Sequence, residues 1–272
     1  MIPAAFDYQR ASTLDEALSI LADRGEDAKL LAGGHSLLPL MRLRLATPAV
    51  LVDIGGLRDL SYVQDRGDEV AIGALTRHRD LQISELLLNQ VPVLAHVAGQ
   101  VGDPQVRHRG TIGGSLAHGD PASDLPAAIL ALDGTLCARG TSGERTIPAT
   151  EFFTGFLETA LRPDEVLTEI RVPKSPGKFS FKKFNRRAQD WAIVGVVALS
   201  DSPARVALVN MASTPVRASA TEAALAAGAA ANEAAQRASE GLEPPSDTNA
   251  TTEFRRHLAT VLVRRALEEV GL

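Results

Sequence analysis

Two short glycine-rich segments constrain the fold of this chain more than any other feature. They are residues 32–36 (AGGHS) and 111–115 (TIGGS), and each places two glycines before a hydroxyl residue that can begin a helix. Glycine permits positive φ and a close backbone approach to a ligand. Successive N–H groups at such a turn form an anion-binding concavity. For either segment alone an ordinary tight turn is the better interpretation, whereas the matched pair favours pyrophosphate binding between two loops.

Other common nucleotide and catalytic motifs are absent from the sequence. It contains no G-x-G-x-x-G, G-x-x-x-x-G-K-[ST], H-E-x-x-H or G-x-S-x-G motif. Its six histidines lie singly, and of these only His35 falls within a glycine segment. The single cysteine, Cys137, allows neither an internal disulfide nor a cysteine-ligated metal cluster. A net charge of −5 argues against nucleic-acid binding.

The apolar patterning predicts an α+β protein with a boundary near residues 173–177 (PKSPG). A capping box at Thr13 and Glu16 predicts a first helix. We expect strands over 29–32 and 50–54, a helix over 36–45, and a polar loop over 102–121. After the boundary, three strand-like runs precede helices over 216–232 and 254–270. No secretory signal is visible and no apolar run reaches membrane-spanning length, which predicts a cytoplasmic protein without transmembrane segments.

Polar residues outside the glycine segments provide further candidates for ligand contacts. Gly102 opens a turn upstream of the second segment, and Asp120, Ser123 and Asp124 follow it. These side chains suit helix capping, and a carboxylate there also suits hydrogen bonds from a ribose or a base amine.

A basic run at 182–187 (KKFNRR) and the nearby Trp191 form the last candidate region. Strand alternation places Lys183 on one face and Lys182 on the other. The run is either a solvated strand face or a source of one lysine beside a phosphate or flavin carbonyl. Trp191 either fills the core or stacks on a flat ring system.

Taken together, these motifs resemble the FAD-binding medium subunits of molybdenum hydroxylases. The likeness is greatest to the carbon monoxide dehydrogenase medium subunit type, within the xanthine dehydrogenase family. It rests on residues 32–39 (AGGHSLLP), 103–105 (DPQ), 110–115 (GTIGGS), 120–121 (DP) and Asp124, with 6–8 (FDY), 46–48 (ATP) and 264–266 (RRA) in agreement.

The resemblance implies a two-subdomain FAD-binding domain of the vanillyl-alcohol-oxidase type, followed by a smaller C-terminal domain. The first domain would cover 1–174, with subdomains of about 1–56 and 57–174. The second would cover 175–272, and it would be a carbon monoxide dehydrogenase flavoprotein-type domain with a three-stranded sheet plus helices.

The resemblance also implies one non-covalent FAD and a set of contacts to it. Residues 32–36 and 111–115 would cradle the pyrophosphate and ribityl chain, Asp124 would contact the adenosine side, and Trp191 would stand where a tyrosine often covers the isoalloxazine. The register between Lys182 and Lys183 stays open, and Ser115 stands where many relatives have asparagine. The implied cofactor-binding residues are Leu31, Ala32, Gly33, Gly34, His35, Ser36, Leu37, Gly102, Thr111, Ile112, Gly113, Gly114, Ser115, Asp120, Asp124, Leu167, Lys183 and Trp191.

The function implied by the resemblance is electron transfer. A large partner would hold the molybdenum cofactor, and a small partner would hold two [2Fe–2S] clusters that pass electrons to FAD on this chain and then to an external acceptor. The assembly would be a dimer of heterotrimers, and this chain would carry neither a catalytic acid–base residue nor a metal ligand. One alternative is a free-standing FAD-dependent oxidase or dehydrogenase of a small molecule. Another is a non-catalytic nucleotide-binding module.

Overall fold

A computed structural model describes residues 2–272. Its first unit is a parallel three-stranded sheet in the order β1-β3-β2 with two helices. The bounds are β1 Asp7–Arg10, α1 Leu14–Arg24, β2 Ala28–Leu31, α2 Leu37–Arg42 and β3 Val50–Asp53. The predicted cap is present, because Thr13 Oγ1 accepts a hydrogen bond from Glu16 N at 3.1 Å. Strand β1 has no counterpart in the sequence analysis.

The second unit is an antiparallel sheet in the order β4-β5-β10-β6-β7, packed against helices. Its strands are β4 Val63–Asp65, β5 Glu69–Gly73, β6 Thr135–Gly140, β7 Gly143–Pro148 and β10 Val166–Pro173. Strands β8 Phe153–Gly155 and β9 Glu158–Thr159 form a separate hairpin. The helices are α3 His78–Ile83, α4 Glu85–Gln90, α5 Pro92–Gly99, α6 Pro104–Arg109, α7 Ile112–His118, α8 Asp124–Ala131 and α9 Ala149–Phe152.

The expectation of a loop over 102–121 is wrong, because this segment contains α6 and α7. Both helices begin at side-chain caps: Asp103 Oδ1 accepts from Val106 N at 2.9 Å, and Thr111 Oγ1 accepts from Gly114 N at 3.1 Å. Such caps satisfy N–H groups that a helix start otherwise leaves open. The polar and small residues of this segment therefore form the caps and first turns of two short helices. The Gly113-Gly114 pair lies in the first turn of α7.

The third unit is an antiparallel sheet in the order β11-β12-β13-β14. Its elements are β11 Phe179–Phe184, β12 Val194–Leu199, β13 Arg205–Val209, β14 Val216–Arg217, α10 Ser219–Ala226, α11 Ala231–Ala235 and α12 Thr252–Val270. The sheet has a fourth strand, β14, where the sequence analysis placed the start of a continuous helix over 216–232. Pairing of Val216 and Arg217 with β13 decides the local conformation there.

The C-terminal sheet is covered on both faces. Val197, Leu199, Ala207 and Val209 belong to the large core that also contains α5 and α8 of the second unit. The opposite face, including Val196 and Leu208, packs in a second core with α12. The large core contains residues from both sides of the predicted domain boundary between 174 and 175. The position of that boundary stays a prediction. No helix among residues 2–272 is long and apolar enough to cross a membrane.

Candidate functional site

A cleft of about 1060 Å³ lies where the three units meet. One wall is formed by the segment that follows β2, and a second by the start of α7 and the Leu167 region of β10. The third wall is formed by Lys183 on β11 and by the segment that ends at Trp191. All the residues predicted to bind a cofactor line this cleft, except Ile112 and Asp120.

The first glycine loop presents unpaired backbone donors to the cleft. The N–H groups of residues 33–37 make no hydrogen bond within the described part of the chain. The carbonyls of Gly34 and Ser36 accept from Leu38 N and Leu40 N, and they turn the chain into α2. Gly34 has a φ of +80°, a conformation that glycine adopts without strain. Free N–H groups at a helix start form a site for an anion such as a phosphate.

The second glycine loop differs from the first, because the N–H groups of residues 112–115 are already paired. Ile112 N donates to Thr76 O at 3.0 Å, and Gly113 N donates to Ala74 O at 2.8 Å. Gly114 N is taken by the Thr111 cap. Ile112 itself is fully buried in the large core, which explains why it does not line the cleft. The two segments look alike in sequence, but the backbone donors are concentrated in the first.

The two loops are in direct backbone contact through Gly33. A Cβ added at Gly33 would lie 2.3 Å from Arg109 O and 2.9 Å from Gly110 Cα. Neither group can move without moving the chain that enters the second loop. Gly33 is thus needed for the packing of one loop against the other, independently of any ligand.

A buried ion pair closes the cleft on the C-terminal side. Lys183 Nζ lies 2.6 Å from Asp124 Oδ2, and the two side chains are 10% and 5% exposed. Burial raises the pKa of Asp124 to about 6, although the Lys183 ammonium lowers it. The other carboxylate oxygen, Asp124 Oδ1, is buried and has no hydrogen-bond partner in the described chain.

The neighbouring predicted residues face elsewhere. Lys182 lies on the opposite face of β11 and pairs with Glu269. Asp120 Oδ1 accepts from Ala122 N at 2.8 Å, and it thereby shapes the turn before α8 instead of lining the cleft. The structure therefore places Lys183, and not Lys182, in the cleft.

His78, at the start of α3, is a cleft residue that the sequence analysis did not select. Its Nε2 lies 3.3 Å from Ser115 Oγ, and its buried Nδ1 has no partner in the described chain. Burial, with smaller contributions from the nearby His35 and Arg107, lowers the pKa of His78 to about 4. The imidazole is therefore neutral at physiological pH. No sequence pattern marks this histidine, because its neighbours are distant along the chain.

The β8–β9 hairpin completes the lining of the cleft, and Trp191 of the third wall stands at its surface. Thr154, Leu157 and Thr159 of the hairpin line the cleft and were also missed by the sequence analysis. Trp191 is 57% exposed, so the indole stands at the cleft instead of filling the core. The described residues contain no group of three or more His, Cys, Asp or Glu side chains that could hold a metal ion.

Comparison with known families settles the class of this chain. The profile of the FAD binding domain in molybdopterin dehydrogenase matches residues 4–175, and that of the CO dehydrogenase flavoprotein C-terminal domain matches residues 179–270. The chain belongs to the FAD-binding medium subunits of the molybdenum hydroxylases. The α+β fold class and the family resemblance are thereby confirmed.

Individual medium subunits are similar over almost their full lengths. The carbon monoxide dehydrogenase medium chain of Hydrogenophaga pseudoflava is 39% identical, over 98% of this chain and 97% of that one. Subunit alpha of the 6-hydroxypseudooxynicotine dehydrogenase complex of Paenarthrobacter nicotinovorans is 37% identical, over 98% and 95%. A solved carbon monoxide dehydrogenase structure from H. pseudoflava superimposes with a TM-score of 0.94 at 41% identity, covering 99% of this chain and 98% of that one.

The polar groups of the cleft suit the parts of an FAD molecule. The free N–H groups of residues 33–37 match a pyrophosphate in charge and hydrogen-bonding type. The unpaired Asp124 Oδ1 is an acceptor for a hydroxyl or amine. A buried acceptor without a donor is costly, so a ligand that supplies one stabilises the folded chain.

Proposed function

We propose that this medium subunit binds one FAD non-covalently in the cleft and transfers electrons within a molybdenum hydroxylase complex. In this proposal the chain takes electrons from [2Fe–2S] clusters of a small partner subunit and passes them through FAD to an external acceptor. A large partner holds the molybdenum cofactor, and the complex is a dimer of heterotrimers. The observation that carries the proposal is the row of unpaired N–H groups at residues 33–37 beside the cleft.

Each wall of the cleft has a separate task in this proposal. Residues 33–37 bind the pyrophosphate, and Asp124 Oδ1 accepts a hydrogen bond from the adenosine side. Lys183 keeps the Asp124 carboxylate charged by its 2.6 Å contact. The backbone near Leu167 and the indole of Trp191 orient the isoalloxazine. FAD, when bound, supplies reversible redox chemistry, while the chain supplies orientation and electrostatic environment.

The separation of tasks between subunits is consistent with the side chains available here. A [2Fe–2S] cluster is held by several thiolates, and this chain has one cysteine, Cys137. The relatives are named as medium chains or as subunits of complexes, and the substrates in their names differ. We therefore propose no substrate for this chain. The cytoplasmic location stays a prediction.

An absorption spectrum of the purified chain tests the proposal. We expect flavin bands near ~450 nm and release of roughly one FAD per chain on heating. A colourless chain that takes up no added FAD would contradict the proposal. Co-purification with an iron–sulfur subunit, and flavin reduction that requires that subunit, test the electron-transfer part. Turnover of a small molecule by the isolated chain would instead support a free-standing oxidase.

A further inference from the structure

Asn210 holds two walls of the cleft although it does not line the cleft. It directly follows β13, and its φ is +62°. Its backbone N–H donates to Pro121 O at 2.8 Å. Its side-chain Nδ2 donates to Ala192 O, also at 2.8 Å. One residue therefore links two segments that are far apart in the sequence.

The two acceptors lie next to residues with proposed tasks. Pro121 is in the turn before α8, which begins at Asp124. Ala192 directly follows Trp191 and is buried. Residues 206–209 of β13, which carry Asn210, are fully buried, so the link is anchored in the C-terminal sheet.

The backbone after Trp191 is fixed at a second point. Ile193 N donates to Phe184 O at 2.8 Å. The guanidinium of Arg255 donates to Ile193 O, and it also donates to Asp247 Oδ2 at 2.7 Å. The Trp191 side chain itself makes no hydrogen bond within the described residues and is 57% exposed. Its placement therefore depends on backbone anchors at Ala192 and Ile193, and on the 3.5 Å contact between Asn185 Nδ2 and Asp190 O.

We propose that Asn210 is a positioning residue that sets Trp191 against the flavin side of the cleft relative to the Asp124 side. The proposal rests on the proposed function. Asparagine suits both tasks, because it tolerates the left-handed conformation better than most residues and supplies an amide donor. Without the Nδ2 bond, the two residues that directly follow Trp191 are held by hydrogen bonds only at Ile193, and the residue before Trp191 by the 3.5 Å contact from Asn185 Nδ2 to Asp190 O.

Two substitutions separate the tasks of Asn210. Asn210→Gly keeps the positive φ and the N–H to Pro121 O, and it removes only the donor to Ala192 O. Asn210→Asp keeps the shape of the side chain but turns an oxygen toward the Ala192 carbonyl. Asn89→Gly, on an exposed face of α4, is the matched control because it adds a glycine far from the cleft.

Trp191 is the one tryptophan of the chain, so its fluorescence reports on this segment alone. We expect lower Trp191 anisotropy in both Asn210 variants than in the wild type and in Asn89→Gly, with circular dichroism unchanged. Loss of one neutral hydrogen bond should raise the population of conformations in which the Trp191 segment is detached from residue 210 by roughly two- to tenfold. In Asn210 variants that carry about one FAD per chain, we also expect weaker quenching of Trp191 fluorescence by the flavin than in the wild type. Their reduced flavin should react faster with oxygen.

The outcomes distinguish this proposal from the proposed function. If the wild-type chain takes up no FAD, the proposed function fails and the flavin part of this proposal fails with it. If the chain binds FAD but the Asn210 variants keep wild-type anisotropy and quenching, only the positioning role is overturned. If Asn210→Gly does not fold, the same measurements on Asn210→Asp decide the question.

Discussion

Lys183 Nζ lies 2.6 Å from Asp124 Oδ2, and this buried pair joins β11 of the C-terminal sheet to the first residue of α8. Lys183 Nζ also lies 3.4 Å from Gln100 O, just after α5. A buried pair is costly to break, because removing one partner leaves the other charge without compensation. The contact therefore connects the stability of the chain with the shape of the cleft.

Lys183→Met should destabilise the chain by ~3–5 kcal/mol at pH 8, because it leaves the Asp124 carboxylate buried and unpaired. The pKa of Asp124 is already raised by burial, and it rises further without the ammonium. A protonated carboxyl needs no counter-charge, so the deficit should shrink as the pH falls toward 5. Urea unfolding at the two pH values measures this, and FAD content should fall in the same variant.

Lys182→Met is the control for this prediction, since Lys182 is one-third exposed and pairs with Glu269 on the other face of the strand. Exposed pairs contribute ~0–1 kcal/mol. Equal losses in the two lysine variants would contradict the assignment of Lys183 to the cleft.

Thr111→Val should cost about 1 kcal/mol of stability, because it removes the cap that accepts from Gly114 N. It should also weaken FAD binding, because it loosens the first turn of α7 beside the cleft. Thr13→Val removes an equivalent cap from α1 and should cost a similar amount without weakening FAD binding. Parallel urea unfolding and FAD titration of both variants test this, and equal FAD affinities would refute it.

Gly33→Ala should destabilise the chain by roughly 1–3 kcal/mol even without FAD, because the added methyl would lie 2.3 Å from Arg109 O. FAD affinity should fall as well, since the loop that carries the free N–H groups must shift. Gly99→Ala is the matched control, because the nearest atom there belongs to the flexible side chain of Gln82, at 3.2 Å. Wild-type stability of Gly33→Ala in thermal unfolding would show that the loops can separate at low cost.

His78→Gln should make the chain less sensitive to acid. The folded state holds the pKa of His78 at about 4, below its ordinary value of 6.5, so the unfolded chain binds more protons between these values. Stability contributed by neutral His78 is therefore complete above pH 6.5 and is lost as the pH falls toward 4, by roughly 3 kcal/mol. Urea unfolding between pH 7 and pH 4 measures the slope. The raised pKa of Asp124 changes stability with pH in the opposite direction, but Asp124 is present in both the wild type and His78→Gln and so does not affect the comparison. Identical slopes in the two proteins would rule out a buried neutral imidazole.

Local patterns were sufficient to predict the first loop, the Thr13 cap and the separation of Lys182 and Lys183 onto opposite faces of one strand, although which lysine faces the cleft stayed open. Each depends on residues close together in the sequence or on simple strand alternation. The same reasoning failed for α6 and α7, where small and polar residues concealed two side-chain caps. It also failed for β14, which exists because Val216 and Arg217 pair with β13.

The difference between the glycine loops could not be predicted from their sequences. The N–H groups of Ile112 and Gly113 are taken by Thr76 and Ala74, more than thirty residues earlier in the chain. His78 was missed for a related reason, because its neighbours Ser115 and Gly110 come together only in the folded chain. Two segments with similar sequences can therefore differ in ligand binding, because contacts with distant parts of the backbone determine which N–H donors remain unpaired.

The walls of the cleft come from residues near 31–37, 111–115 and 183–191, and Arg255 of α12 is one of the anchors of the segment that ends at Trp191. During synthesis the chain leaves the ribosome from its N-terminus, so the first glycine loop is exposed long before Arg255 is made. The complete cleft can therefore form only near the end of translation. We therefore expect cofactor loading to follow synthesis, and a chain truncated before α12 should carry the glycine loops without a finished site.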